Sequence, residues 1–272
     1  MSEKEEIKYY QDELLYHIKA FDLVCRKCGI DYSLHGGSML GAIRHKGFIP
    51  WDDDIDITMT KDNFLKFKSL IETEMPDYWI TDTTSPSPRL LMKRYGERPV
   101  VWIDILEYHY ISSNKLAQKL KIYLLIFLAS MSRTKDTIKN STVKKHGLLR
   151  ILVLHIIYYM GKFFPLKVKL NWHRAVARKW FLGDKQLIHR SNDQSKSVHY
   201  ILPKEYMEEF IDVPFEDTYL KVSKYYKEIL TIDFGPNFMT PPSEKDKYSH
   251  DDIVHAVCEE IQRKYEKEHC TP

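Results

Sequence analysis

At 272 residues the chain is long enough to bury a large core, and its 43% hydrophobic and 29% charged residues describe a globular rather than a disordered protein. Four irregularly spaced cysteines argue against a disulfide framework and for a reducing cytoplasm, and the charged stretch MSEKEEIKYYQDELLYHIK is not expected to be a secretory signal. The formal net charge of +3 hides an asymmetry: residues 112–190 hold 17 Lys/Arg against two acids, Asp136 and Asp184, while the remainder carries 24 basic and 36 acidic residues.

In chain order, Ile7, Tyr10, Leu14, Ile18, Phe21, Cys25 and Cys28 recur at helical spacing, which predicts one amphipathic helix over Glu3–Cys28 that ends at Gly29. Ile30–Leu34 reads as a strand, Ser38–His45 as a short helix broken by Gly47 and Pro50, and Asp53–Met59 as a strand from its Asp/Ile alternation. Lys61–Glu74 is a second helix; Tyr78–Thr81, Leu90–Arg94 and Val100–Leu106 read as strands. This mixture predicts an α/β unit in the first hundred residues.

From Lys115 to Trp180 the signals turn helical and basic. The most hydrophobic windows, Ile122–Met131 and Leu148–Met160, fall short of the ~20 apolar residues needed to span a bilayer. With Lys119, Lys121, Lys144, Lys145 and Lys162 beside them, residues 115–162 fit helices lying on a membrane surface; helices packed on the core with solvated basic ends are the alternative. Beyond Trp180, His199–Pro203 and Phe210–Glu216 read as extended pieces, Tyr219–Tyr226 as a helix, FGPNFMTPP as a loop and Asp251–Lys267 as a terminal helix. The organisation expected is a core over 1–111, a basic helical module over 112–190 and a C-terminal part, 191–272, that completes the core.

The chemistry concentrates in HGGSMLGAIRHKGFIPWDDDIDI, His35–Ile57. On a strand, Asp52, Asp54 and Asp56 point to one face and Asp53 to the other. Carboxylates so close repel one another unless cations neutralise them, and they suit divalent metals that hold phosphates. An EF-hand would need Gly where Ile57 stands. Asp104, alone in the apolar run VVWIDIL, is a candidate third ligand, with a structural ion pair to Arg94 or Arg98 as its alternative. The Gly36-Gly37-Ser38 turn lets an anion approach a helix N-terminus. Arg44, His45 and Lys46 follow at that helix's far end, Arg44 being the better phosphate candidate and solvation the alternative for all three. Cys25-x-x-Cys28 is half a zinc signature, but both cysteines lie on an apolar stripe, and core packing is the expectation.

This stretch resembles the signature of the LicD family, which includes bacterial phosphocholine transferases and animal fukutin-related transferases. WIDIL around Asp104, CGIDY, YILP and the PP…H segment resemble it too. The resemblance implies an α+β fold with a polymerase-β-type nucleotidyltransferase core, a mixed sheet with helices, to which the basic helices are an insertion. It implies that Gly37 and Ser38 bind donor phosphates, beside Gly36 and Arg44 as read from the residues, and that Asp54, Asp56 and Asp104 are catalytic and bind two divalent cations, Mg2+ or Mn2+. Asp52, Asp53 and His250 would support them. The implied reaction moves a phospho-alcohol, phosphocholine first, from CDP-choline or another CDP-alcohol to a glycan hydroxyl and releases CMP. Trp51, Tyr95 and Trp102 are candidate faces for a choline cation. The enzyme would be cytoplasmic, peripheral on the inner membrane face, with no nucleic acid partner. Rival readings are a nucleotidyltransferase proper, a D-x-D glycosyltransferase, and a non-enzymatic adaptor that binds membrane or nucleic acid.

Overall fold

The apolar stripe dictates the first helix. Ile7, Leu14, Ile18, Phe21 and Cys25 are buried along α1 (Glu3–Cys28), and Gly29, at φ +58°, ends it as expected. The computed structural model describes residues 3–81, 85–93, 101–133, 148–193 and 197–243. After α1 come β1 (Ser33–Leu34), α2 (Gly36–His45), β2 (Asp56–Thr60), α3 (Lys61–Glu74), β3 (Tyr78–Ile80), β4 (Arg89–Met92) and β5 (Trp102–Ile111). The fold is α+β, as expected.

The chain divides into two compact units. The first comprises Met1–Ile80, Arg89–Leu106 and Glu205–Pro272. Its strands run in the order β1-β2-β5-β4-β3. Strand β4 pairs antiparallel with β5, setting Arg89 opposite Asp104. Inside, the Phe21 ring meets Tyr32 and Phe67 edge-on at 5.0 Å each, and Thr60 caps α3 by accepting from the Asn63 N–H. The same unit contains the hairpin β8 (Phe210–Phe215) and β9 (Thr218–Ser223), then α7 (Tyr226–Phe234). The expected helix over 219–226 is corrected: Leu220 and Val222 alternate into the core from a strand, and helix begins only at Tyr226. A run that short carries either periodicity, and pairing with β8 decides it.

The second unit comprises Thr81–Pro88 and Glu107–Lys204, compared with the 112 and 190 edges read from composition. It contains α4 (Lys115–Met131), α5 (Leu148–Gly161), α6 (Leu166–Lys179), β6 (Leu187–Arg190) and β7 (Ile201–Pro203). Asn114 caps α4 by accepting from the Leu116 and Ala117 N–H groups. Ile111, Ile122, Leu125, Leu128 and Val176 form the apolar centre. Two lysines are consumed inside. Lys169 donates to the carbonyls of Met131 and Gly161, both at helix C-termini, at 3.0 Å each. Lys121 donates to those of Tyr110 (2.5 Å) and Ala177 (2.9 Å), and its burial pulls the ammonium down to about 7. Lys121 therefore does not face a membrane, contrary to its place among the expected interfacial lysines. Among the described residues no helix is long and apolar enough to cross a membrane.

A polar network is also buried in this unit. Glu107 accepts from Arg178 Nη2 at 2.8 Å and faces His109 Nε2 at 3.4 Å, and His109 Nδ1 lies 2.7 Å from Ser191 Oγ. Burial pushes the His189 and His173 rings down to about 3 and about 4. Lys144, Lys145, Arg94, Tyr95, Arg98, His250 and the expected terminal helix lie outside the described residues.

Candidate active site

The two halves of the His35–Ile57 stretch meet. His35 donates its N–H to the Asp56 carbonyl at 2.9 Å, and Ser38 Oγ accepts the Asp56 N–H at 2.9 Å, so the start of α2 is fastened to the start of β2. Gly36 sits at φ +52°, where a side chain is strained. A Cβ on Gly37 would lie 2.6 Å from Asp52 Oδ2, and one on Gly36 would lie 3.4 Å from Asp56 Oδ2. Only glycine leaves the helix N-terminus this close to the carboxylates. The positive end of the helix dipole and the acidic loop thus share one place.

The loop turns before the strand begins. Asp52 donates its N–H to the Ile49 carbonyl at 2.9 Å, and β2 starts only at Asp56. This corrects the spacing-two expectation. Instead of an extended run with Asp53 pointing away, the turn brings oxygens of Asp52, Asp53 and Asp54 within 4.8 Å of one another. Burial first, then the charges of Asp54 and Asp53, push the Asp52 carboxyl up to about 8. A divalent cation would relieve that strain, and hard carboxylate oxygens are the donors it takes. The residues fit a metal.

Gln11 holds this loop. From α1 its Nε2 donates to the carbonyls of Ile49 at 3.1 Å and Asp52 at 2.8 Å. Sequence reasoning missed it, although Gln11 stands four residues after Ile7 on the apolar stripe, a signal that a buried polar group has a partner to find. His35 was missed too: its ring Nε2 lies 3.9 Å from Asp233 Oδ2 on α7, both side chains being mostly buried.

Asp104 lies on the strand next to β2 and donates its N–H to the Ile55 carbonyl at 2.9 Å. Its carboxylate accepts from Arg89 Nε at 2.8 Å and from Trp102 Nε1 at 2.9 Å, with the Arg89 guanidinium 4.5 Å over the Trp102 ring. Among the described residues the ion-pair partner is Arg89; Arg94 and Arg98 lie outside them. Arg44 Nη1 donates to the Phe238 carbonyl at 3.0 Å and so ties down the segment after α7. Trp51 stands edge-on to His45 at 6.3 Å. Cys25 is buried and Cys28 partly so, in keeping with core packing.

Residues 29–149 match the family described as LicD/FKTN/FKRP, nucleotidyltransferase domain. The chain carries a LicD-family domain. That LicD segment contains the glycine turn, the acidic loop and Asp104. Similarity runs further along the chain: it is 28% identical over 251 residues to the lipopolysaccharide cholinephosphotransferase LicD of Haemophilus influenzae, covering 85% of this chain and 90% of that protein. Two uncharacterized rickettsial proteins match shorter pieces. One from Rickettsia typhi is 34% identical over 71 residues, 26% of this chain and 21% of that protein; one from Rickettsia prowazekii is 38% identical over 45 residues, 16% and 17%.

Proposed function

We propose that this LicD-family chain transfers phosphocholine from CDP-choline to a hydroxyl of a cell-surface glycan or its lipid-linked precursor, releasing CMP. One observation carries the reading: a glycine turn at a helix N-terminus abuts the carboxylates of Asp52 and Asp56, so an anion seat and a cation seat adjoin. The name of the Haemophilus relative supports phosphocholine as cargo and a lipopolysaccharide-type acceptor.

In this reading Gly36, Gly37 and Ser38 offer backbone N–H groups to the donor pyrophosphate. Asp54 and Asp56 would hold divalent Mg2+ or Mn2+, with Asp52 and Asp53 in support, and a bound ion would supply positive charge against that developing on the pyrophosphate. The acceptor oxygen forms a bond to the phosphorus that bears choline, the bond from that phosphorus to the CMP oxygen breaks, and CMP leaves with the electron pair. Asp104, whose carboxylate Arg89 and Trp102 hold in place, takes the hydroxyl proton. The transfer takes place at the inner face of the cytoplasmic membrane.

The test is a donor screen of CDP-choline, CDP-ribitol and CDP-glycerol with a glycan acceptor. Free CMP together with phosphocholine-labelled glycan is the expected result. A cytidylylated acceptor would mean attack on the other phosphorus, and transfer only from CDP-ribitol or CDP-glycerol would change the cargo.

A further inference from the structure

The second unit carries an apolar surface that the described residues leave open. Between α4, the end of α5 and α6 lies a groove of about 400 Å³, lined by Phe127, Leu128, Met160, Phe164, Trp172 and Trp180 among others. Phe164 packs edge-on against Trp172 at 5.0 Å. Beside it, the turn from α5 to α6 reads Gly-Lys-Phe-Phe-Pro-Leu-Lys, with Phe163 85% exposed and Phe164, Leu166, Trp172 and Trp180 between 39% and 51%. Single exposed apolar residues need no explanation, but a continuous patch ending in an aromatic groove does.

Charge says what covers it. Residues 161–185 hold seven Lys/Arg against one acid, Asp184. Lys169 and Arg178 are spent inside the unit, on helix-end carbonyls and on Glu107. Lys162, Lys167, Lys179 and Lys185 are exposed and flank the aromatic residues. Exposed Phe, Leu and Trp interleaved with lysines are the composition of a segment that enters the boundary of an anionic bilayer, the rings passing below the headgroups and the ammonium groups staying among the phosphates. A protein partner of the same apolar character would gain nothing from four lysines unless it were acidic.

We propose that the second unit docks on an anionic membrane through the 161–167 turn, with Phe163 entering the hydrocarbon and the adjoining groove receiving part of a lipid chain. The contact is narrower than residues 115–162: it centres on the α5–α6 turn and the start of α6. It does not rest on the catalytic reading, because neither the turn nor the groove contains a residue assigned to transfer.

Sedimentation of the full chain with vesicles of phosphatidylglycerol and phosphatidylcholine, against phosphatidylcholine alone, tests the docking. Binding to the anionic vesicles is expected to weaken with added salt. Phe163→Glu should weaken it at least roughly tenfold, and Lys162→Glu with Lys167→Glu about fivefold per lysine. Brominated lipid should quench tryptophan emission, and less so in Trp172→Phe/Trp180→Phe. Phe163 is exposed and packs in no core, so an unchanged melting curve and unchanged transfer to a delipidated acceptor should accompany its loss of binding. Failure of wild type to bind anionic vesicles, or equal binding by Phe163→Glu, overturns the proposal. A concentration-dependent dimer that Phe163→Glu dissolves, with no vesicle binding, assigns the patch to a second copy instead. Vesicle binding with no transfer from any CDP-alcohol would leave the docking standing and remove the catalytic reading.

Discussion

Asp52, half-buried in the first unit, and Glu107, buried in the second, are both carboxylates partly or wholly shielded from water, and their surroundings push them in opposite directions. Burial and the neighbouring charges of Asp54 and Asp53 raise Asp52. Burial also raises Glu107, but hydrogen bonding and charge from His109 and Arg178 outweigh it and hold that carboxyl below its usual value. In the second unit, the fold brings a cation to the acid. In the acidic loop, like charges are gathered in a turn that Gln11 clamps and Gly37 makes room for. On the proposed function, the contrast separates a buried charge that stabilises a fold from a group of charges arranged for a cation.

The largest expected effect falls on the acids themselves. Asp54→Asn or Asp56→Asn should reduce transfer by about two to three orders of magnitude, and Asp54→Asn should hold or raise the melting temperature, since it relieves like-charge repulsion on Asp52; steady-state kinetics and a thermal melt read both. Full activity in either variant would break the contrast. Gly37→Ala comes next: its Cβ would meet Asp52 Oδ2 at 2.6 Å, so donor KM and metal affinity should both worsen by roughly tenfold, whereas an effect on stability alone would make the glycine merely structural. Gln11→Leu removes two hydrogen bonds to the loop and should cost about 1–3 kcal/mol of stability in denaturant unfolding, along with a weaker metal affinity.

The smallest effect is a pH contrast in metal-free protein. Asp52 has a folded value of about 8 against 3.8 ordinarily, so between these the folded state holds the extra proton and stability falls as pH rises. His189 and His173 have folded values of about 3 and about 4 against 6.5. There the unfolded chain holds the extra protons, so their contribution is complete above pH 6.5 and is lost as pH falls below it. Hydrogen exchange, corrected for intrinsic rates, should therefore show α4 and α6 losing protection between pH 7.5 and pH 5 while β2 keeps or gains it. Loss in step in both units would contradict the assignment.

Much of this was legible in residue order. Helices α1 and α3 announce themselves because a 3.6-residue period over two or more turns has no competitor. Strand β9 was hidden because Tyr219–Tyr226 is too short for its period to be unique, and its pairing with β8 is a tertiary fact. The acidic cluster was legible as composition, but not its membership: Asp53 joins because the chain turns at Ile49–Asp52. Arg89 was invisible as the partner of Asp104, since only the β4–β5 register sets them opposite one another. The apolar windows showed where the second unit would be greasy; which lysines would be swallowed by helix ends depended on packing.

The most direct test is a calorimetric titration of Mn2+ into wild-type protein, Asp54→Asn/Asp56→Asn and Glu107→Gln at pH 7.5. The crowded acids should bind the ion in wild type and in Glu107→Gln and lose it in the double variant. Undiminished binding by Asp54→Asn/Asp56→Asn, or no binding by wild type, would contradict a cation site in the acidic loop.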